Sequence, residues 1–204
     1  MPVAVDGRRR LAPEERKRLL LDYAIEAFSR RGIGRGGHTD IAEAGGVSVA
    51  TVFNYFKTRE VLVTEVLDEI AAFMEQMAEQ AFRHEDTPVN AIGTFFNNML
   101  YACQSHPDHM RVWLEWSSSP REEVWPRYLS LQQTLLEMLS QQVELAIADG
   151  LARLEGLPPR ERAMWMLGNS QMLVTMMLDP MGRPDNMEDM LNRWLNHMLL
   201  TIND

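Results

Sequence analysis

Ile41-Ala-Glu-Ala-Gly-Gly-Val-Ser-Val-Ala-Thr-Val-Phe-Asn-Tyr-Phe56 is the stretch whose reading decides the fold. Its two short helical segments, His38–Ala44 and Val49–Phe56, flank Gly45-Gly46-Val47-Ser48 and spell a helix-turn-helix. Ala42 is small, so the second segment can approach the first. Gly45 and Gly46 allow a left-handed residue where the chain reverses. Val47 plugs the angle between the helices. Ser48 can cap the following helix and leave its N-terminal amides facing a phosphate. Val52 and Phe56 fall on the inner side of that helix. Val49, Ala50, Thr51, Asn54 and Tyr55 then remain for a groove and its phosphate walls. A helical corner that binds nothing is the plain alternative. Against it stand Thr51, Asn54, Tyr55 and Lys57, whose polar groups suit phosphate and base contacts.

Outward from this centre the chain keeps helical periodicity, and no segment alternates as a strand would. Pro13–Arg31 reads as a helix with Glu14 and Glu15 in its first turn, Gly32 at its end, and Leu20, Ala24, Ala27 and Phe28 on its buried face. Thr58 can cap a long helix reaching about Arg83, with Leu62, Val66, Ile70, Met74, Met77 and Ala81 along one stripe. Further helices are predicted over Val89–Gln104, Asp108–Trp116, Glu122–Ala148, Pro159–Leu178 and Met187–Ile202, punctuated by Pro and Gly. The expectation is an all-α chain of about nine helices. Residues 1–57 form a three-helix helix-turn-helix head, and residues 58–204 form a larger helical body.

Composition sets the outer bounds. The 204 residues are 46% hydrophobic and 24% charged, enough for a real core and unlike a disordered chain. Ala163 to Leu178 is uncharged but short of the ~20 residues a membrane span needs. Arg8-Arg9-Arg10 leads into charged residues and not into an apolar signal segment. Cys103 is the only cysteine, which excludes an internal disulfide and fits a reducing cytosol. The net charge of −9 argues against nucleic acid, but its distribution argues for it. Residues 1–60 hold 11 Lys/Arg against 8 Asp/Glu, leaving 9 against 21 for the remainder. A basic head on an acidic body suits a polyanion that meets the head alone.

Taken together, Ile41-Ala42, Gly46-Val47-Ser48, Thr51, Phe53, Tyr55-Phe56-Lys57 and Leu62 resemble the TetR family of transcriptional regulators. More narrowly, Arg31-Gly-Ile-Gly-Arg-Gly-Gly-His38, Asp40-Ile-Ala-Glu43, Val47–Phe56 and Thr58-Arg-Glu60 resemble the HapR/LuxR/SmcR-type quorum-sensing master regulators of vibrios. Val112-Trp113, Glu115-Trp116-Ser117 and Glu123-Val-Trp-Pro126 resemble the same group outside the head. The resemblance implies a cytoplasmic, nucleoid-associated homodimer on a palindromic double-stranded DNA operator, with a ligand-binding and dimerising body. It implies a basic arm at Arg8 and Arg10 and places Thr51, Phe53 and Asn54 on a recognition helix; His38, Thr39, Ser48, Val49, Ala50, Tyr55 and Lys57 complete the candidate DNA contacts. The chain departs from the pattern at Lys57, where the subgroup usually has Pro. It departs again at Gly36-Gly37, where many members carry a Thr cap.

Several motifs point elsewhere and are set aside on physical grounds. Gly32-x-Gly34-x-x-Gly37 spells a dinucleotide fingerprint, but an amphipathic helix precedes it where a strand is required. His106-Pro-Asp-His109 lacks the further ligands of a metal site. Ser117-Ser-Ser119 has no nucleophile elbow. No cofactor, metal, membrane or catalytic role is expected. Fourteen of the 15 methionines and all five tryptophans lie after residue 60. Adaptable Met beside aromatic walls suits a small apolar ligand, and Met77, Phe95, Met99, Trp113, Trp116 and Gln132 are its candidate lining. The uncharged helix at Ala163–Leu178 is apolar on nearly every side and is expected at a two-fold dimer interface. Two other readings stand beside this one. In the first, output follows the protein's abundance without a ligand. In the second, the body is a helical scaffold or enzyme with a vestigial head.

Overall fold

The computed structural model describes residues 12–120, 123–153, 156–179 and 186–199. Among them are nine helices: α1 Pro13–Arg31, α2 His38–Gly45, α3 Val49–Tyr55, α4 Arg59–His84, α5 Pro88–Ser105, α6 Pro107–Ser117, α7 Trp125–Ala148, α8 Pro159–Leu178 and α9 Met187–Leu199. No strand occurs among the described residues. The bounds follow local chemistry. Pro opens α1, α5, α6 and α8, where its missing N–H would go unbonded anyway. Thr58 caps α4, its hydroxyl accepting from the Val61 amide at 3.2 Å. The predicted start of α7 at Glu122 and end of α9 at Ile202 lie outside the described residues.

Packing divides the chain into two compact units, Met1–Val66 and Leu67–Asp204, so the first two turns of α4 count with the first unit. That unit closes on Leu20, Ala24, Ile25, Phe28, Ile41, Val52, Phe56, Leu62 and Val66, all buried. Each comes from the inward stripe of its own helix, and burial removes ~1.5–3 kcal/mol of unfavourable hydration per large side chain.

In the second unit α7 and α8 make the most extensive pairing, and α5 packs on α7, α8 and α9. Polar groups lock its joints. The Trp116 indole N–H donates to the Val124 carbonyl at 2.9 Å, and its ring meets Tyr128 edge-on. Gln171 Nε2 donates to the Tyr128 hydroxyl at 2.9 Å, joining α7 to α8. Burial pushes that phenol above its ordinary value. The buried Arg162 donates to the carbonyls of Leu157 and Leu199, tying the start of α8 to the end of α9. No helix among the described residues is long and apolar enough to cross a membrane.

The motifs set aside from sequence have structural roles. Gly36 lies against Phe28, where an added Cβ would come within 2.6 Å of the ring. The Cys103 thiol is buried and donates to the Met99 carbonyl. Ser117, Ser118 and Ser119 return their hydroxyls to carbonyls in the last turn of α6. His106 and His109 pack their rings around Phe73 of α4.

Candidate nucleic-acid interface

The geometry of the first unit is built around the turn between α2 and α3. Gly46 is left-handed at φ 59° and ψ 34°, the conformation that reverses the chain. Its neighbour Val47 donates back to the Ala42 carbonyl at 3.0 Å and completes the helix end. Gly45 remains helical. Tyr23 of α1 packs against it, and an added Cβ would come within 3.1 Å of that ring. The two glycines therefore divide the labour that the sequence assigns to both. One turns the chain, and the other admits a neighbouring helix.

Ser48 starts α3. Its hydroxyl accepts from the Thr51 amide at 3.1 Å and shares a 2.8 Å bond with the Thr51 hydroxyl. At α2 the cap is a carboxylate: Asp40 Oδ2 accepts from the Gly37 amide at 3.0 Å and also pairs with Arg31. Asp40 thus serves the helix end where a Thr cap is absent, which the Gly36-Gly37 departure alone did not reveal. Arg59 adds a clamp from α4, donating to the Ile33 carbonyl at 2.5 Å.

On α3, Val52 and Phe56 are fully buried, as the helical period requires. Ala50, Asn54 and Lys57 are exposed, Thr51 and Tyr55 half-buried, and Val49 and Phe53 are 37% and 44% exposed. The Asn54 amide and the Lys57 ammonium make no hydrogen bond or ion pair among the described residues. Thr39 is exposed at the first turn of α2. Arg8 and Arg10 lie outside the described residues.

His38 is the correction. Expected at the DNA surface, it is buried instead. Its Nε2 donates to the Phe56 carbonyl at 2.6 Å, fastening the start of α2 to the end of α3. Its ring stacks on Phe53 with centroids 3.9 Å apart and planes within 5°. The side chain is thus held on both sides within the first unit.

Of the six residues expected around a ligand, five are buried and one lines a surface cleft. Met77, Phe95, Met99, Trp113 and Trp116 are buried in the second unit's core, with the Trp116 indole already bonded. Gln132 lies instead in a cleft of about 290 Å³ between α7 and α8, walled by Leu129, Gln133, Leu136, Met164 and Leu167. In the second unit's core α5, α6 and α7 bring large rings together: Phe95 meets Phe96, and Trp116 meets Tyr128.

Comparison with known proteins places this geometry. Residues 20–66 match the model of the bacterial regulatory proteins of the tetR family. The chain is 44% identical to the HTH-type transcriptional regulator LuxR of Vibrio harveyi over 135 residues, 65% of this chain and 64% of that protein. The match therefore spans a little under two thirds of that relative's length. Two solved structures share the fold over nearly the whole chain. The ketosteroid transcriptional regulator KstR2 of Mycobacterium tuberculosis superposes with a TM-score of 0.72 at 17% identity, covering 98% of this chain and 100% of that one. The transcriptional regulator FadR of Bacillus subtilis, solved in complex with stearoyl-CoA, gives 0.74 at 20% identity, covering 91% and 99%.

Proposed function

We propose that the chain is a member of the tetR family of bacterial regulatory proteins and acts as a sequence-specific DNA-binding regulator of transcription in the cytoplasm, of the quorum-sensing type. One observation carries this reading. The outward side of α3 presents Ala50 and Asn54 to solvent, with Lys57 exposed just beyond its end, while Val52 and the capping Phe56 are buried. A short helix fixed in this way can enter a major groove with its base-reading groups already in place. The protein works by binding and not by catalysis. Gel shift against its own upstream region, followed by a genome-wide binding profile, tests the proposal. Uniform retention of all DNA, abolished by moderate salt, would count against sequence reading.

We further propose a homodimer formed through the α7–α8 face. Met164, Trp165 and Met172 on α8 are 54%, 55% and 64% exposed, and Leu129 and Leu145 of α7 are exposed too. Large apolar groups left in water on one helix mark a surface that a second copy covers.

The same reading includes a small apolar ligand acting on the second unit, supported by the stearoyl-CoA complex of the similarly folded FadR. A thermal-shift screen of apolar metabolites tests it, since a ligand at ~100 times its dissociation constant adds ~2.7 kcal/mol of stability. The burial of Trp113 and the bonded indole of Trp116 favour a second reading, in which abundance alone sets the output. A screen without a single shift, with operator binding proportional to protein concentration, selects that second reading.

A further inference from the structure

The His38–Phe53 pair is more than a packing contact, because one ring is buried and the other is not. His38 is 7% exposed and Phe53 is 44% exposed, yet their planes are nearly parallel at 3.9 Å. The imidazole cannot rotate away, since Nε2 donates to the Phe56 carbonyl at 2.6 Å. Phe53 therefore leans on a fixed aromatic floor and keeps part of its ring in water. It occurs on α3, one turn after the 37% exposed Val49, so the two form an apolar strip along the flank of the helix. Beside that strip, Ala50 and Asn54 are exposed.

In the major groove, the base edges offer hydrogen-bonding atoms at every pair but only one large apolar group, the 5-methyl of thymine. An aromatic ring held rigid at the flank of a groove-entering helix has that methyl as its complement. We propose that Phe53 reads a thymine methyl in each half-site, and that His38 is the positioning residue that fixes the ring for the task without touching DNA. The inference rests on the DNA-binding reading above and adds the base and the chemical group. It also explains why a histidine is buried at the start of α2: a ring is needed as a floor, and a donor is needed at the end of α3.

The test uses the full chain and a palindromic operator recovered by in vitro selection. The operator is then remade with single thymine-to-uracil replacements, which remove only the methyl. At one position per half-site the wild type should lose about fourfold in affinity, and about fifteenfold when both half-sites are changed. Phe53→Ala should bind thymine and uracil operators alike. His38→Gln keeps a donor for the Phe56 carbonyl but removes the floor, so it should lose the discrimination. His38→Phe restores a ring and should keep it. A merely structural His38 would weaken both operators equally and leave the ratio untouched, which overturns its assigned role. If His38→Gln fails to fold, the ratio in His38→Phe and in Phe53→Ala still decides the matter. Equal binding of both operators by the wild type at every thymine overturns the proposal while leaving sequence-specific binding intact. Failure of selection to recover any sequence removes the DNA-binding reading itself.

Discussion

Asn54 and Lys57 are both exposed at the end of the helix-turn-helix, yet their chemistry assigns them different work. An amide can pair bidentately with adenine N6 and N7, whereas an ammonium is a point charge suited to phosphate. Asn54→Ala should cost ~1–3 kcal/mol at one base pair per half-site and relax preference there. Lys57→Ala should weaken all sequences equally and lower the salt slope by about 1. Binding titrations over a set of single-base operator variants, repeated at several salt concentrations, separate the two. Gly36 gives a prediction about stability. A Cβ there would meet the fully buried Phe28 ring at 2.6 Å, with the Phe28 backbone at 3.4 Å behind it. Overpacking of this kind costs ~1–3 kcal/mol, so Gly36→Ala should lower the melting temperature measurably. An unchanged melt would show that Phe28 can step aside.

The two helices of the helix-turn-helix are short, and short helices depend on their ends. The seven residues of α3 form too few internal bonds to stand alone. Ser48 supplies the start through Thr51, Gly46 supplies the turn before it, and His38 holds the far end through Phe56. Ser48→Ala should therefore cost ~0.5–2 kcal/mol of stability and weaken DNA binding in step. Urea titration gives the first quantity and operator titration the second. Stability lost with DNA affinity retained would mean that the cap serves the fold alone. The long α4 is different. Its stripe of Leu62, Val66, Ile70, Met74, Met77 and Ala81 is buried throughout, so its stability comes from packing along its length and little from Thr58 at its start.

The whole molecule carries opposite charge in its two parts, with Arg8 and Arg10 in the segment before α1. Replacing both with Ala should weaken operator binding and lower the salt slope by about 1–2, because each neutralised phosphate contributes ~0.9. A slope equal to that of the wild type would show that these arginines do not meet phosphate. Assembly has its own test. Trp165→Glu with Met172→Glu places two charges on side chains that are more than half exposed in the single chain. The fold should survive, while sedimentation at micromolar concentration should shift from dimer to monomer. A persistent dimer would move the interface to another face.

The amino-acid sequence determined the helices, the turn and the inward stripes, because each rests on local periodicity and on end chemistry. Proline at a first turn, Ser48 as a cap and glycine at a reversal act within four or five residues of themselves. The resemblance of 41–62 to a DNA-binding family was legible for the same reason, being a contiguous motif. What only the tertiary structure decided lies between elements distant in sequence. His38 and Phe56 are 18 residues apart, and nothing local says that one bonds the other and so turns a surface candidate into a buried clamp. Gly45 and Gly46 look alike in sequence, and only the position of Tyr23 tells which one serves packing. Nothing local says that the Trp116 indole bonds the carbonyl of Val124 or that its ring meets Tyr128; only the tertiary structure shows both. Composition fixes how much aromatic volume a core contains, but whether a void remains depends on how rings from separate helices interlock, and that is set only when the helices pack.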